Sequence, residues 1–469
     1  MSRQTKLVKN TLVLSIGTFF PKLVSVITLP ILSGYLTKSE YGTYDLITTL
    51  ASLLLPIVTL QIQSAAFRFL IECRDNRKEI DSIVTNIMLF TIPVSLVTLV
   101  ILFIVLPGTV TGTKLLICIY YFLDIIYVAL QQITRGLSFN MSYSISAIVL
   151  SSVNLVLTVL LVWWSSLGIN GVLIALIVAY FFGCCFLIFK IRNYVSIKIS
   201  YFSKRQLKTL LSYSWPMVFN NLSSWILRLS DRVVITAFLG IEANAVYAIA
   251  NKIPNLLSMV QNTFTMAWQE NASLVSKDDD ANLYYTYISD NMYCIISGFT
   301  ALLIAGTPIL FSILIRGDYN DAYYQMPLLF LGMMFCCLSA FQGGIYVAYK
   351  QTKQVGITTI LAAICNLIID LLFVKLIGIT AGSLSTLISY LLLWIFRIYD
   401  LKKIVEIKYN FKKMITIIGI LIIMCIICYK RILILNIINF FGGILFCFII
   451  NKSLIRSIWI NVKKKIIQK

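Results

Sequence analysis

Three ionisable side chains stand close together in an otherwise apolar run: Arg228, Asp231 and Arg232, within "WILRLSDRVVITAFLG" (225–240). Spacings of three and four residues place them on one flank of a helix. Two guanidiniums side by side suit phosphate oxygens, because each can donate twice to the same anion. Asp231 would hold Arg228 through an i,i+3 pair. The triplet also fits an interhelical salt bridge in which Asp231 serves both arginines.

More charges interrupt apolar sequence. Lys22 follows Pro21 midway along the first apolar stretch, and Arg68 and Lys252 lie nearer the ends of theirs. Long cationic side chains near a span end can snorkel to headgroups, which is the competing reading for Arg68 and Lys252. Asp124, in "YYFLDIIYVALQQ", and Asp370 are acidic within spans, and either could carry a proton or pair with sodium during transport. Each could equally be a buried partner for a cation. Asp45, Glu270 and Asp290 lie near span ends, where solvation accounts for them. Histidine is absent, the eleven cysteines form no paired CxxC motif, and no phosphate-binding glycine loop occurs. Neither a catalytic nor a metal site is expected, so the chain reads as a non-enzyme without a bound cofactor.

The elements that carry these residues must be membrane helices. Of 469 residues, 59% are hydrophobic and 12% charged, against roughly 25% charged in soluble domains. A helix crosses a bilayer in about 20 apolar residues. Fourteen such stretches recur, near 10–32, 43–70, 81–105, 114–134, 143–164, 169–189, 210–239, 246–270, 286–311, 323–349, 355–374, 379–399, 413–429 and 432–452. No alternating ten-residue pattern suggests a barrel. The expected fold is therefore an all-α polytopic membrane protein.

With the N-terminus inside, cytoplasmic segments hold 28 of the 39 lysines and arginines, Arg397 among them. The net charge of +20 thus reports topology and anionic lipid headgroups rather than nucleic acid. Both termini are expected in the cytoplasm. A mid-span cation costs about 2.5–3.5 kcal/mol on insertion scales, so Lys22, Arg228 and Arg232 must face water, counter-charge or a polar substrate.

Two long basic loops, "KIRNYVSIKISYFSKRQLK" (190–208) and "RIYDLKKIVEIKYNFKK" (397–413), divide the chain into six, six and two helices. The expected organisation is a six-helix lobe (1–190), a cytoplasmic linker (191–208), a second six-helix lobe (209–399), and two further helices with a basic cytoplasmic tail (400–469). A shift of 203 residues sets "GYLTKSEYGTYDL" (34–46) on "AFLGIEANAVYAI" (237–249), matching Leu36 with Leu239 and Tyr44 with Tyr247. An even number of helices per lobe makes such a repeat parallel, with its axis along the membrane normal. Eight of the nine prolines lie in the first ten spans; the uneven distribution fits hinges around a cavity, while proline is also simply commoner in membrane helices than in soluble ones.

The opening block "NTLVLSIGTFFPKLVSVITLPILSGYLTKSEYGTYDLITTL" (10–50) resembles the start of bacterial Wzx-type polysaccharide flippases. "LSDRVVITAFLG" (229–240) and "YAIANKI" (247–253) look like the start of their second lobe. These flippases belong to the multidrug/oligosaccharidyl-lipid/polysaccharide exporter superfamily. The resemblance implies two six-helix lobes around a cavity that opens alternately to either side of a bacterial plasma (inner) membrane. It implies as partners the lipid bilayer, an undecaprenyl-diphosphate-linked oligosaccharide and a polysaccharide polymerase. A lipid II flippase and a multidrug antiporter of the same superfamily are the alternatives, the second expected to favour acidic cavity residues. On this reading Lys22, Arg228 and Arg232 face the diphosphate, with Asp231, Arg68 and Lys252 nearby. Coupling to a proton or sodium gradient would fall to Asp124 or Asp370.

Overall fold

The structure, a computed structural model, describes residues 3–105, 111–276, 278–452 and 455–456. The ninth proline, Pro107, and the basic tail beyond residue 456 lie outside the described residues. Among the described residues all regular structure is helical, in keeping with a membrane protein that must satisfy its backbone internally. Twelve helical segments there are long and apolar enough to cross a membrane. The other two expected spans, 210–239 and 246–270, are helical but too polar to meet that measure.

The chain divides into two compact units, Met1–Trp225 and Ile226–Lys469. The first contains α1 (Arg3–Ile27), α2 (Leu29–Tyr35), α3 (Lys38–Val58), α4 (Ile62–Glu72), α5 (Arg77–Val105), α6 (Thr111–Gly136), α7 (Asn140–Thr158) and α8 (Gly168–Ile191). The boundary falls inside α9 (Lys204–Leu239). The second unit continues with α10 (Ile241–Lys252), α11 (Pro254–Val275), α12 (Ala281–Leu314), α13 (Asn320–Ala348), α14 (Thr352–Ile377), α15 (Thr380–Leu401), α16 (Phe411–Tyr429) and α17 (Leu433–Ile450).

Prolines mark two of the breaks. Pro30 and Pro254 stand in the first turns of α2 and α11, where a missing N–H costs nothing. The stretch 43–70 is two helices rather than one span, because Leu60 and Gln61 adopt φ of 46° and 58° between α3 and α4. Other boundaries are capped: Thr37 Oγ1 accepts from Glu40 N at 3.2 Å, and Glu40 Oε2 accepts from Thr37 N at 3.0 Å. Glu40 Oε1 also accepts from Ile169 N, which ties the start of α8 to that of α3.

The same pairing of helices recurs in both units. In the first, α6 packs on α4, α5 and α8, and α7 packs on α8; in the second, α13 packs on α11, α12 and α15, and α14 packs on α15. The central helices α6 and α13 therefore hold equivalent places. The core of the first unit gathers Ile62, Leu70, Ile83, Ile87, Ile133 and Leu187. In the second, α13 buries Met326, Phe330, Met334, Ile345 and Tyr346 completely.

The linkers follow the repeat as well. After α8, Ser196 N donates to Asp81 Oδ1 at 2.7 Å and Ser203 N to Asn86 Oδ1 at 3.2 Å, which pins the chain to the start of α5. After α15, Glu406 N donates to Asn282 Oδ1 and Lys408 N to Thr286 Oγ1, at the start of α12. Residues 191–208 are thus an ordered strap on the first unit.

Candidate functional site

Within the second unit, α9 presents its charges in two directions. Arg228 is exposed and makes no hydrogen bond or ion pair with the described residues, while Asp231 and Arg232 are buried, 2% and 8% exposed. The expected pairing of Arg228 with Asp231 does not form. Asp231 turns inward, where Oδ2 accepts from the Tyr247 hydroxyl and from Thr386 Oγ1 at 2.9 Å. Helix spacing brings neighbours onto one flank, but a tertiary hydroxyl from α10 and another from α15 outcompete the arginine.

Asp370, on α14, is 1% exposed and faces the same carboxyl. Neither of its oxygens, nor Oδ1 of Asp231, meets a donor among the described residues. Two carboxylates are both acceptors, so they can share a site only with a proton or a cation between them. Neutral oxygens surround the pair. Ser230 Oγ lies 3.3 Å from Asn366 Oδ1, Asn366 Nδ2 donates to Ser385 Oγ at 3.1 Å, and the Gly382 carbonyl is 3.2 Å from Tyr247 Oη. Gly382 permits that approach: a Cβ there would sit 3.0 Å from Ile235 Cδ1 and 3.0 Å from the Tyr247 ring. Hard oxygen donors of this kind suit a proton or a small hard cation. Asp231, Tyr247, Asn366 and Thr386 were not expected at such a site. The spacing of Asn366 and Asp370, four apart on an apolar helix, was the available signal.

The remaining candidates are scattered. In the first unit, Lys22 is exposed on α1. Arg68 is exposed on α4 and pairs with Glu72 at 2.5 Å, so it is a surface ion pair there. Asp124, half-buried on α6, has the Tyr180 hydroxyl beside it and the Tyr120 ring close by. It lines a cavity of about 10 Å³ with Thr98 and Tyr121, room for one water. In the second unit, Lys252 is half-buried at the last turn of α10, just before the Pro254 break. Asp45, expected to be solvated, is 1% exposed, while Asp290 pairs with Lys413 at 2.8 Å.

Arg397 was counted as a loop cation, yet it is 3% exposed inside α15. Its guanidinium donates to Ser339 O at 2.6 Å, to Thr358 Oγ1 at 2.9 and 3.1 Å, and to Val355 O at 3.3 Å. It joins α13, α14 and α15 through neutral acceptors.

Comparison with known proteins agrees with this architecture. The fold is similar to that of the lipid II flippase MurJ in an inward closed conformation, with TM-score 0.71 and 15% identity over 95% of this chain and 99% of that one. It is also similar to an inward-facing MATE-family multidrug resistance transporter of the MOP superfamily, with TM-score 0.64 and 16% identity over 84% and 95%. A MOP superfamily transporter from Pyrococcus furiosus, described as having a binding pocket of reverse polarity, follows at TM-score 0.58 and 13% identity over 85% and 95%. An uncharacterized membrane protein of Methanocaldococcus jannaschii is 27% identical over 221 residues, 46% of this chain and 44% of that relative. Residues 7–269 match the model of the polysaccharide biosynthesis protein family, and the chain belongs to that family.

Proposed function

We propose that the protein is a flippase that carries an undecaprenyl-diphosphate-linked oligosaccharide repeat unit from the cytoplasmic to the outer leaflet of a bacterial plasma (inner) membrane. The product would feed surface polysaccharide assembly by a polymerase. Family membership supports the polysaccharide half of this reading, and Arg228 supports the diphosphate half. A guanidinium exposed in mid-helix without a hydrogen bond or ion pair, with Cys336 and Tyr390 near its charge, needs an anion or water to remain in a membrane. Phosphate oxygens meet its two-donor geometry. Lys22, exposed on α1, is the candidate cation of the first unit, and buried Arg232 lies one helical turn from Arg228.

The Asp231–Asp370 pair supplies the coupling step in this proposal, taking up a proton or sodium on one side and releasing it on the other. Asp124 is the corresponding candidate in the first unit. A lipid II flippase is the second reading, favoured by the likeness to MurJ along nearly the whole chain. It shares the lipid diphosphate and differs in the sugar. A multidrug antiporter fits less well, because the exposed charges at Lys22 and Arg228 are cationic and the acidic groups of α9 and α14 are buried.

Complementation tests these readings, with membrane protein quantified in parallel. Arg228→Ala should lower surface polysaccharide at least about tenfold at normal protein level, as expected for a lost charge-assisted contact. Arg228→Lys should recover part of it, since charge returns without the fork geometry. Normal export by Arg228→Ala sinks the phosphate contact. Rescue of lipid II flippase depletion, without rescue of a repeat-unit flippase null, would move the substrate to the second reading.

A further inference from the structure

The buried carboxyl pair needs a route to water to exchange a proton or a cation, and an open cleft lies nearby in the second unit. The cleft, of about 540 Å³, lies where the end of α9 and the start of α10 meet the first turn of α13 and the α14–α15 turn. Asp321, Tyr324, Gln325, Gly378 and Thr380 line it. Asp321 is exposed, whereas Gln325 is 4% exposed and reaches inward. Gln325 Nε2 donates to Thr380 Oγ1 at 3.2 Å, and its Oε1 accepts from the buried Ser383 Oγ at 2.8 Å. The next oxygens along α15 are the Gly382 carbonyl beside Tyr247 Oη, then Thr386 Oγ1 on Asp231. From Thr380 to Thr386 is six residues, about 9 Å of helix. Ser383, which donates to Gln325, stands three residues before Thr386 on α15, so the polar chain that starts at the cleft ends one helical turn from the hydroxyl that donates to Asp231.

We propose that this cleft is the vestibule through which a small hard cation, a proton or sodium, enters the Asp231–Asp370 pair, with Gln325 as the side chain that gates the passage. The inference rests on the reading of that pair as the coupling site. Asp321 concentrates cations at the mouth. Gln325 then hands them from water to the buried oxygens, and its side-chain amide can rotate away from Thr380 and Ser383 to open the way.

An entry route governs exchange rate more than equilibrium affinity, which makes the test specific. The full chain in nanodiscs is read in two arms: radioactive sodium exchange at fixed pH, and proton uptake after a pH jump. Thr380→Cys, treated with a bulky methanethiosulfonate reagent, should slow exchange at least about tenfold and leave the half-saturating concentration unchanged. The untreated variant and the treated parent are its controls. Asp321→Asn should slow exchange about threefold, by loss of local cation attraction. Gln325→Leu should behave as the blocked cleft does; the Thr380 experiment decides the matter if that variant does not fold. Unaltered exchange after blocking, while Asp370→Asn abolishes binding, would overturn the vestibule and leave the coupling site standing. Binding in both arms that survives Asp231→Asn and Asp370→Asn would overturn the coupling site and the vestibule with it.

Discussion

At the scale of single residues, a charge inside an apolar helix persists through the partner it finds, and Asp231 and Arg397 find theirs on other helices. The sequence exposed Arg228, Asp231 and Arg232 as costly, because any charge in an apolar run is costly. It could not show that Asp231 would be held by Tyr247 and Thr386, which lie 16 and 155 positions away. Arg397 is the sharper case. It follows a long apolar run and precedes "IYDLKK", so it read as the first residue of a basic loop. The helix continues to Leu401, and that further turn carries the guanidinium inside. Its partners are carbonyl and hydroxyl oxygens from α13 and α14, so truncation removes the cation and strands those acceptors. Arg397→Ala should cost about 2–4 kcal/mol of stability. Arg397→Lys should recover little, since one ammonium cannot span acceptors on two helices. Thermal unfolding of the purified variants in detergent measures both, and parent-like melting of Arg397→Ala would exclude the structural role.

At the scale of elements, apolar length located the helices but hid their breaks. The run 43–70 looks like one span, yet two successive left-handed residues, Leu60 and Gln61, cut it between α3 and α4. Neither is glycine, so no residue type announced the turn. The cut between α10 and α11 was visible, because Pro254 opens the second helix. Interrupted helices thus occupy matching places in the two units, a pattern associated with substrate and ion sites in transporters built from repeats. Close helix approach was equally illegible. Gly382 is one of 22 glycines, and only the packing shows that it lets α15 come within reach of Tyr247. Gly382→Ala brings a Cβ within 3.0 Å of both Ile235 Cδ1 and the Tyr247 ring, so these must give by a few tenths of an ångström, and the hydroxyl on the Asp231 carboxyl moves with the ring. The expected loss is about 1–3 kcal/mol of stability. Sodium affinity, or proton affinity if that is the coupling ion, should fall with it. Differential scanning fluorimetry with and without the ion checks this. A variant that loses stability while keeping full ion stabilisation would separate packing from coordination.

At the scale of the whole molecule, the repeat and the topology constrain each other. The shift of 203 residues rested on a few matched side chains, whereas the structure repeats the packing partners of α6 in α13 and the linker anchorage of α5 in α12. The straps 192–203 and 402–410 therefore hold equivalent places in their units. Between them lie six expected crossings, two of which, α9 and the α10–α11 pair, are too polar to count by composition. If both cross, the straps share a side; if neither crosses, they still share it, because six and four are both even. Only one crossing without the other would separate them. From the cationic residues in both straps and the positive-inside rule, we propose that this shared side is cytoplasmic. Lys198 and Lys408 are exposed and suit cysteine substitution, whereas Ser203 is half-buried with its N–H on Asn86. In a cysteine-depleted background, Lys198→Cys and Lys408→Cys should resist an impermeant thiol reagent in intact cells and react once the membrane is opened. Labelling of both in intact cells would invert the orientation and turn the cleft of the second unit inward. Labelling of one alone would mean that α9 and the α10–α11 pair do not cross together, and the two-lobe topology would fall.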